Sequence, residues 1–166
     1  VGKTPAEVIV NSARSEVYVA NLADGSVDII DMVRKTVIDT LLNVGTKPNG
    51  MAISPDGSQL YVANFDSNDI AVFNVSNLTK PQLLNRLSVG NNPIDLAMKP
   101  DGSRLYVAHY GDGTIGVIDT VSSKLLKNIS VGPQPTNVNL SADGKRLYVV
   151  VGGENVIKVL DTQQLP

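Results

Sequence analysis

The stretch Pro100–Asp119, PDGSRLYVAHYGDGTIGVID, contains two turns and two strands. Proline presets φ, aspartate can bond its own backbone and glycine accepts positive φ without steric cost, so Pro100-Asp101-Gly102 predicts the start of a hairpin. Leu105, Tyr106, Val107 and Ala108 form a short apolar run with β-branched and aromatic members, and Gly111-Asp112-Gly113 turns the chain into Ile115, Val117 and Ile118. Neither run alternates cleanly with polar residues. That pattern predicts strands covered on both faces, as in stacked sheets.

Relatives of this stretch recur from end to end in one register. SPDGSQLYVAN at Ser54–Asn64 matches KPDGSRLYVAH at Lys99–His109, SADGKRLYVVV follows at Ser141–Val151, and NSARSEVYVAN at Asn11–Asn21 is a worn first copy. Upstream of each lies a Val-Gly pair and then a proline: Val1-Gly2 with Pro5, Val44-Gly45 with Pro48, Val89-Gly90 with Pro93, and Val131-Gly132 with Pro135. The pairs are 43, 45 and 42 residues apart. A period of about 40–45 residues with several short strands per unit is that of propeller blades.

The succession of Val-Gly-x-x-Pro, SPDG, LYVAN and an IDT-like tripeptide (Ile30-Asp31-Met32, Ile118-Asp119-Thr120, Leu160-Asp161-Thr162) resembles the YVTN-type β-propeller repeat along the whole chain. The resemblance implies an all-β fold of four-stranded antiparallel blades, four of them consecutive, in rings that more often hold seven or eight. It extends to surface-layer and periplasmic propeller proteins and, more distantly, to lactonase-like propellers. The blades should span about 1–43, 44–88, 89–130 and 131–166, with Tyr18, Tyr61, Tyr106 and Tyr148 at equivalent second-strand positions packed between blades. The fourth blade should lack its outer strand, because the chain ends at Gln163–Pro166. Its third strand, Val156–Leu160, would then be a bare edge. The expectation is a portion of a larger propeller, completed by further blades of the same or another chain, with self-association through the two open ends. Val1 already stands at the start of a blade without a signal-peptide layout, so an exported form should have lost its leader.

Composition sets limits. With 166 residues, 42% apolar and 18% charged, the chain resembles a globular domain with a sizeable core, and no apolar run is long enough for a membrane span. A net charge of −2 with dispersed basic residues argues against a nucleic-acid partner. The absence of cysteine removes disulfides, thiolate nucleophiles and cysteine metal sites. No cofactor and no metal site are expected.

The candidate chemistry is sparse. His109, the only histidine, follows the second strand of blade three, where the other copies carry Asn21, Asn64 and Val151. It reads either as a general base or single metal ligand, or as a substituted asparagine at the start of a loop. Asp56, Asp101 and Asp143 recur in phase, as do Asp31, Asp119 and Asp161, which marks them as turn residues. The copies differ two residues past each proline, at Glu7, Gly50, Asp95 and Asn137, and these positions should lie on inner strands facing the central channel. Polar groups converging on the axis from several blades make a propeller's site. Glu7, Asp95, Asn137 and His109 are therefore the candidate ligand-binding residues, with no catalytic residue assigned. No helix follows Gly111-Asp112-Gly113 to receive a phosphate, and no G-x-S-x-G elbow is present. Asn74 and Asn77, in a long Asn-, Ser- and Thr-rich connection, are possible glycosylation acceptors.

Two functions stay open. One is a noncatalytic binding or scaffold propeller of an extracellular, cell-surface or periplasmic protein that engages a protein or ligand. The other is a lactonase-like hydrolase acting on a sugar lactone.

Overall fold

The computed structural model describes residues 1–77 and 80–166. Blade one is the antiparallel sheet β1 (Pro5–Asn11), β2 (Glu16–Asn21), β3 (Ser26–Asp31) and β4 (Thr36–Leu41). Blade two comprises β5 (Pro48–Ile53), β6 (Gln59–Asn64), β7 (Asp69–Asn74) and β8 (Gln82–Ser88). Blade three comprises β9 (Pro93–Met98), β10 (Arg104–His109), β11 (Thr114–Asp119) and β12 (Lys124–Ser130). Blade four holds three strands, β13 (Pro135–Leu140), β14 (Arg146–Val151) and β15 (Val156–Asp161), and β15 has no partner on its outer edge among the described residues. The chain is an all-β propeller in which strands are paired in sequence order within each sheet.

The turns form for the reasons their residues suggest. Asp101 Oδ1 accepts the Ser103 N–H at 2.9 Å, Asp143 Oδ1 accepts the Lys145 N–H at 3.1 Å, and Asp56 Oδ1 accepts the Ser58 N–H at 3.1 Å. The glycine after each, Gly57, Gly102 or Gly144, has φ between 68° and 73°, a conformation an L side chain resists. Asp31, Asp119 and Asp161 likewise accept N–H groups two or three residues on, at 2.7–2.9 Å, and so open the next turn.

Three joints between successive blades carry the core, and they repeat position by position. Tyr18, Ala20 and Ile29 of blade one meet Met51, Leu60 and Val62 of blade two. Tyr61, Ala63 and Val72 meet Leu96, Leu105 and Val107, and Tyr106, Ala108 and Val117 meet Val138, Leu147 and Val149. The leading face of each blade thus receives the trailing face of the next. Tyr148 departs from the expected packing between blades: it is 36% exposed where Tyr106 is 1% exposed, because among the described residues no blade packs on that face of blade four.

Each inner strand is entered through a left-handed residue before its proline: Thr4, Lys47, Asn92 and Gln134 have φ of 53–54°. That conformation is costly for a side-chain-bearing residue, and more so before proline. One recurring bond holds it, since the carbonyls of these residues accept the N–H groups of Leu22, Phe65, Tyr110 and Gly152 at 2.9–3.0 Å. The register then slips just past the proline in every blade. The slip is a bulge, and bulges re-aim side chains.

Candidate functional site

Inner strands β1, β5, β9 and β13 stand side by side, and their bulges line a cleft of about 200 Å³ that includes Glu7, Gly50, Asp95 and Asn137. Three of the four candidate residues, Glu7, Asp95 and Asn137, are therefore together. Gly50 lets blades two and three approach: a Cβ there would lie 2.5 Å from the Asp95 Cα.

The two carboxyls have matching partners. Glu7 Oε2 accepts the N–H of Met51, three residues past Pro48 on the next blade. Asp95 Oδ2 accepts the N–H of Val138, three residues past Pro135 on the next blade, at 2.8 Å, and the Asn137 side-chain amide at 2.7 Å. The other Asp95 oxygen accepts the Leu96 N–H at 2.9 Å, and Asn139 donates to Asn137 Oδ1 at 2.8 Å. An acid two past the proline thus pins the inner strand of the following blade. Sequence reasoning placed Glu7 and Asp95 on the channel but missed this pin and the part of Asn139. The signal available was the constant three-residue offset from proline to the receiving N–H.

Burial pushes the Glu7 carboxyl up to about 7, the Asp95 charge adds to the rise, and the Met51 N–H opposes it. Asp95 is raised as well, by burial, against the two N–H groups it accepts. The cleft therefore holds a carboxyl that exchanges its proton near neutrality beside a second one, a pair suited to hydrogen-bonding a polar ligand and to passing a proton.

His109 lies elsewhere. It is fully buried at the end of β10, its Nε2 accepts the Gly90 N–H at 3.2 Å and its Nδ1 faces Thr114 Oγ1 at 3.0 Å. Burial pushes its pKa down to about 4, with Asp112 opposing, so the ring is neutral at pH 7. Asn64 holds the corresponding place in blade two, donating to the Val44 carbonyl at 2.8 Å and to Asp69 at 2.7 Å. In both blades the side chain latches the Val-Gly linker. A Cβ on Gly45 or Gly90 would lie within 2.5 Å of Asn64 or His109 atoms, which is why glycine follows valine there.

Asn74 ends β7, and its side-chain oxygen accepts the Ser76 N–H at 2.9 Å. The Asn77 sequon runs through Leu78 and Thr79, which lie outside the described residues. Among the described residues no group of three or more His, Asp or Glu could hold a metal ion, and no helix is long and apolar enough to cross a membrane.

The model of the SMP-30/gluconolactonase/LRE-like region matches residues 9–153, which is most of the chain. The chain belongs to this family. The propeller expectation holds, and the family match is to the SMP-30/gluconolactonase group rather than to the YVTN-type repeat that the motifs resemble. No curated protein matches the sequence. Among solved structures, hydrazine synthase of Kuenenia stuttgartiensis is 26% identical with a TM-score of 0.87, over 96% of this chain and 46% of that one. A protein of unknown function from Desulfotomaculum acetoxidans DSM 771 is 19% identical with a TM-score of 0.79, over 96% and 55%. The β-propeller domain of Myceliophteria thermophila Cps50 (Swd1) is 14% identical with a TM-score of 0.79, over 95% and 53%. The family member described here spans about half the length of these structures, and the last two likenesses speak to the fold alone.

Proposed function

We propose that this SMP-30/gluconolactonase-family chain is a noncatalytic binding module, a run of blades from an exported or cell-surface protein that presents its channel end and loops to a protein or ligand. One observation carries this reading: both channel carboxylates already hold a backbone N–H of the next blade, in the same way. A group pinned by its own scaffold is poorly placed to move during a reaction. The recurring turn aspartates are tied within their own turns, and the resemblance to surface-layer and periplasmic repeats supports the same role. Hydrazine synthase is similar over less than half of its chain, so its named activity is not carried over.

A second reading, hydrolysis of a sugar lactone, is favoured by the family match and by the Glu7 carboxyl near pKa 7 in the same cleft as Asp95. A sugar-lactone hydrolysis assay separates the two. The binding reading expects the rate to equal the buffer rate for the chain and for Glu7→Gln and Asp95→Asn. Turnover that either substitution abolishes, with the fold intact by circular dichroism, would replace it with the hydrolase.

A further inference from the structure

The turns that join the first and second strands of each blade differ in charge. Blade one carries Arg14 there, blade three Lys99 and Arg104, and blade four Lys145 and Arg146, whereas Ser54–Gln59 of blade two has no basic residue. In the other blades these cations are used locally. Arg14 Nε donates to Glu16 at 3.1 Å, and Glu16 also accepts the Tyr18 hydroxyl at 2.6 Å. Arg104 donates to Asp119 at 2.6 Å, Lys99 lies 3.7 Å from Asp101, and the Lys145 charge acts on Asp143. Burial raises the Tyr18 and Tyr106 hydroxyls while the charges of Arg14 and Arg104 oppose the rise, so a guanidinium acts on each of these joint tyrosines.

The middle joint lacks one. In blade two Gly57 stands in the place of Arg14, Gln59 stands in the place of Glu16 and Arg104, and the Tyr61 hydroxyl donates to Gln59 Oε1 at 2.7 Å. Asp56 is held by the Ser54 and Ser58 hydroxyls and the Ser58 N–H, and forms no ion pair among the described residues. Beside Tyr61 the joint opens into a cleft of about 420 Å³, lined by Tyr61, Gln59 and Asp56 of blade two and by Asp101 and Thr120 of blade three. Both blades lie inside the chain, and the cleft lies past the end of β5, away from the channel cleft at its start.

We propose that this cleft is a docking site for an arginine side chain of a partner protein, whose guanidinium donates to Asp56 and lies beside Tyr61 as Arg14 and Arg104 do at the neighbouring joints. Charge favours that occupant, since two carboxylates line the cleft and only Asp101 has a lysine near it. Shape favours it too: a guanidinium directs a planar fork of donors at a carboxylate and can lay its face on an aromatic ring, which an ammonium group does less well. The site is independent of whatever Glu7 and Asp95 bind.

Nuclear magnetic resonance titration of the 166-residue chain with a blocked tripeptide bearing a central arginine tests this, with the lysine and the neutral citrulline peptides as comparisons. The amide resonances of Ser58, Gln59 and Thr120 should shift and saturate at millimolar arginine peptide, and the other two peptides should bind at least about tenfold more weakly. Asp56→Asn keeps the oxygen that holds the turn and should weaken binding of the arginine peptide by about tenfold. Gln59→Arg gives blade two the arginine that blade three carries at this place and should abolish the saturable shifts at Ser58 and Thr120. No saturable shift in the unaltered chain, equal binding of the lysine or citrulline peptide, unchanged affinity in Asp56→Asn, or undiminished binding in Gln59→Arg would each overturn the proposal. The peptide series decides this on the unaltered chain.

Discussion

Replacing Glu7 by glutamine should change how stability depends on pH, and the size of the change can be worked from the channel. Folding moves this carboxyl from 4.5 to about 7, so the folded chain binds more protons than the unfolded one between those values. Its favourable contribution is present below pH 4.5 and is lost as pH rises through 7. The shift corresponds to roughly 3 kcal/mol, and partial contact with channel water reduces the expectation to about 1–2 kcal/mol. His109 acts in the opposite sense. Burial moves it from 6.5 to about 4, so stability is lost as pH falls from 6.5 toward 4, by up to about 3 kcal/mol for a fully buried ring. In the parent chain the two effects oppose each other between pH 4.5 and 6.5. In Glu7→Gln the histidine is opposed only by Asp95, whose carboxyl is also raised, so stability should climb with pH more steeply than in the parent up to about 6.5 and lack the parent's loss through pH 7. At pH 8 the variant should be more stable than the parent by about 1–2 kcal/mol, because the glutamine oxygen can still accept the Met51 N–H. Urea unfolding followed by circular dichroism at fixed protein concentration, from pH 4.5 to 8, measures this. Parallel pH profiles for parent and variant, or a variant less stable at pH 8, would refute the burial argument for Glu7.

Other substitutions probe the joints and latches. Tyr106→Ala should cost roughly 3–5 kcal/mol, as for other buried aromatics, whereas Tyr148→Ala in this 166-residue chain should cost less than about 1 kcal/mol; denaturant midpoints compare them directly. His109→Asn restores the residue of blades one and two and should cost under about 1 kcal/mol, while His109→Ala leaves the Gly90 N–H without its partner and should cost about 2–3 kcal/mol in the same measurement. Gly50→Ala must push the inner strands of blades two and three apart, which should cost about 1–3 kcal/mol and lower the melting temperature.

Much of this architecture was legible because local chemistry and repeat agree. The PDG turns, the LYVA runs and the Asx turns after Asp31, Asp119 and Asp161 depend on residues within a few positions of one another, so the sequence carries them openly. The period then places Glu7, Gly50, Asp95 and Asn137 on one face. The use of the two acids was not legible. Glu7 bonds a residue 44 positions away and Asp95 one 43 positions away, and such pairings depend on how closely two blades approach. His109 was misleading for a related reason. A histidine at a strand end looks available in sequence, and only packing against Gly90 and Thr114 shows that it replaces an asparagine latch. The different exposure of Tyr148 reflects its neighbour, since the tetrapeptide around it is almost that of Tyr106.

The chain of like joints has a consequence for how the molecule opens. Because the apolar core lies in joints between successive blades, the free energy needed to expose a backbone amide should depend on how many joints must part first. Amides of β6 and β10, whose blades are flanked on both sides, should exchange with solvent most slowly. Those of β15, with a bare edge and one neighbouring blade, should exchange fastest among the strands.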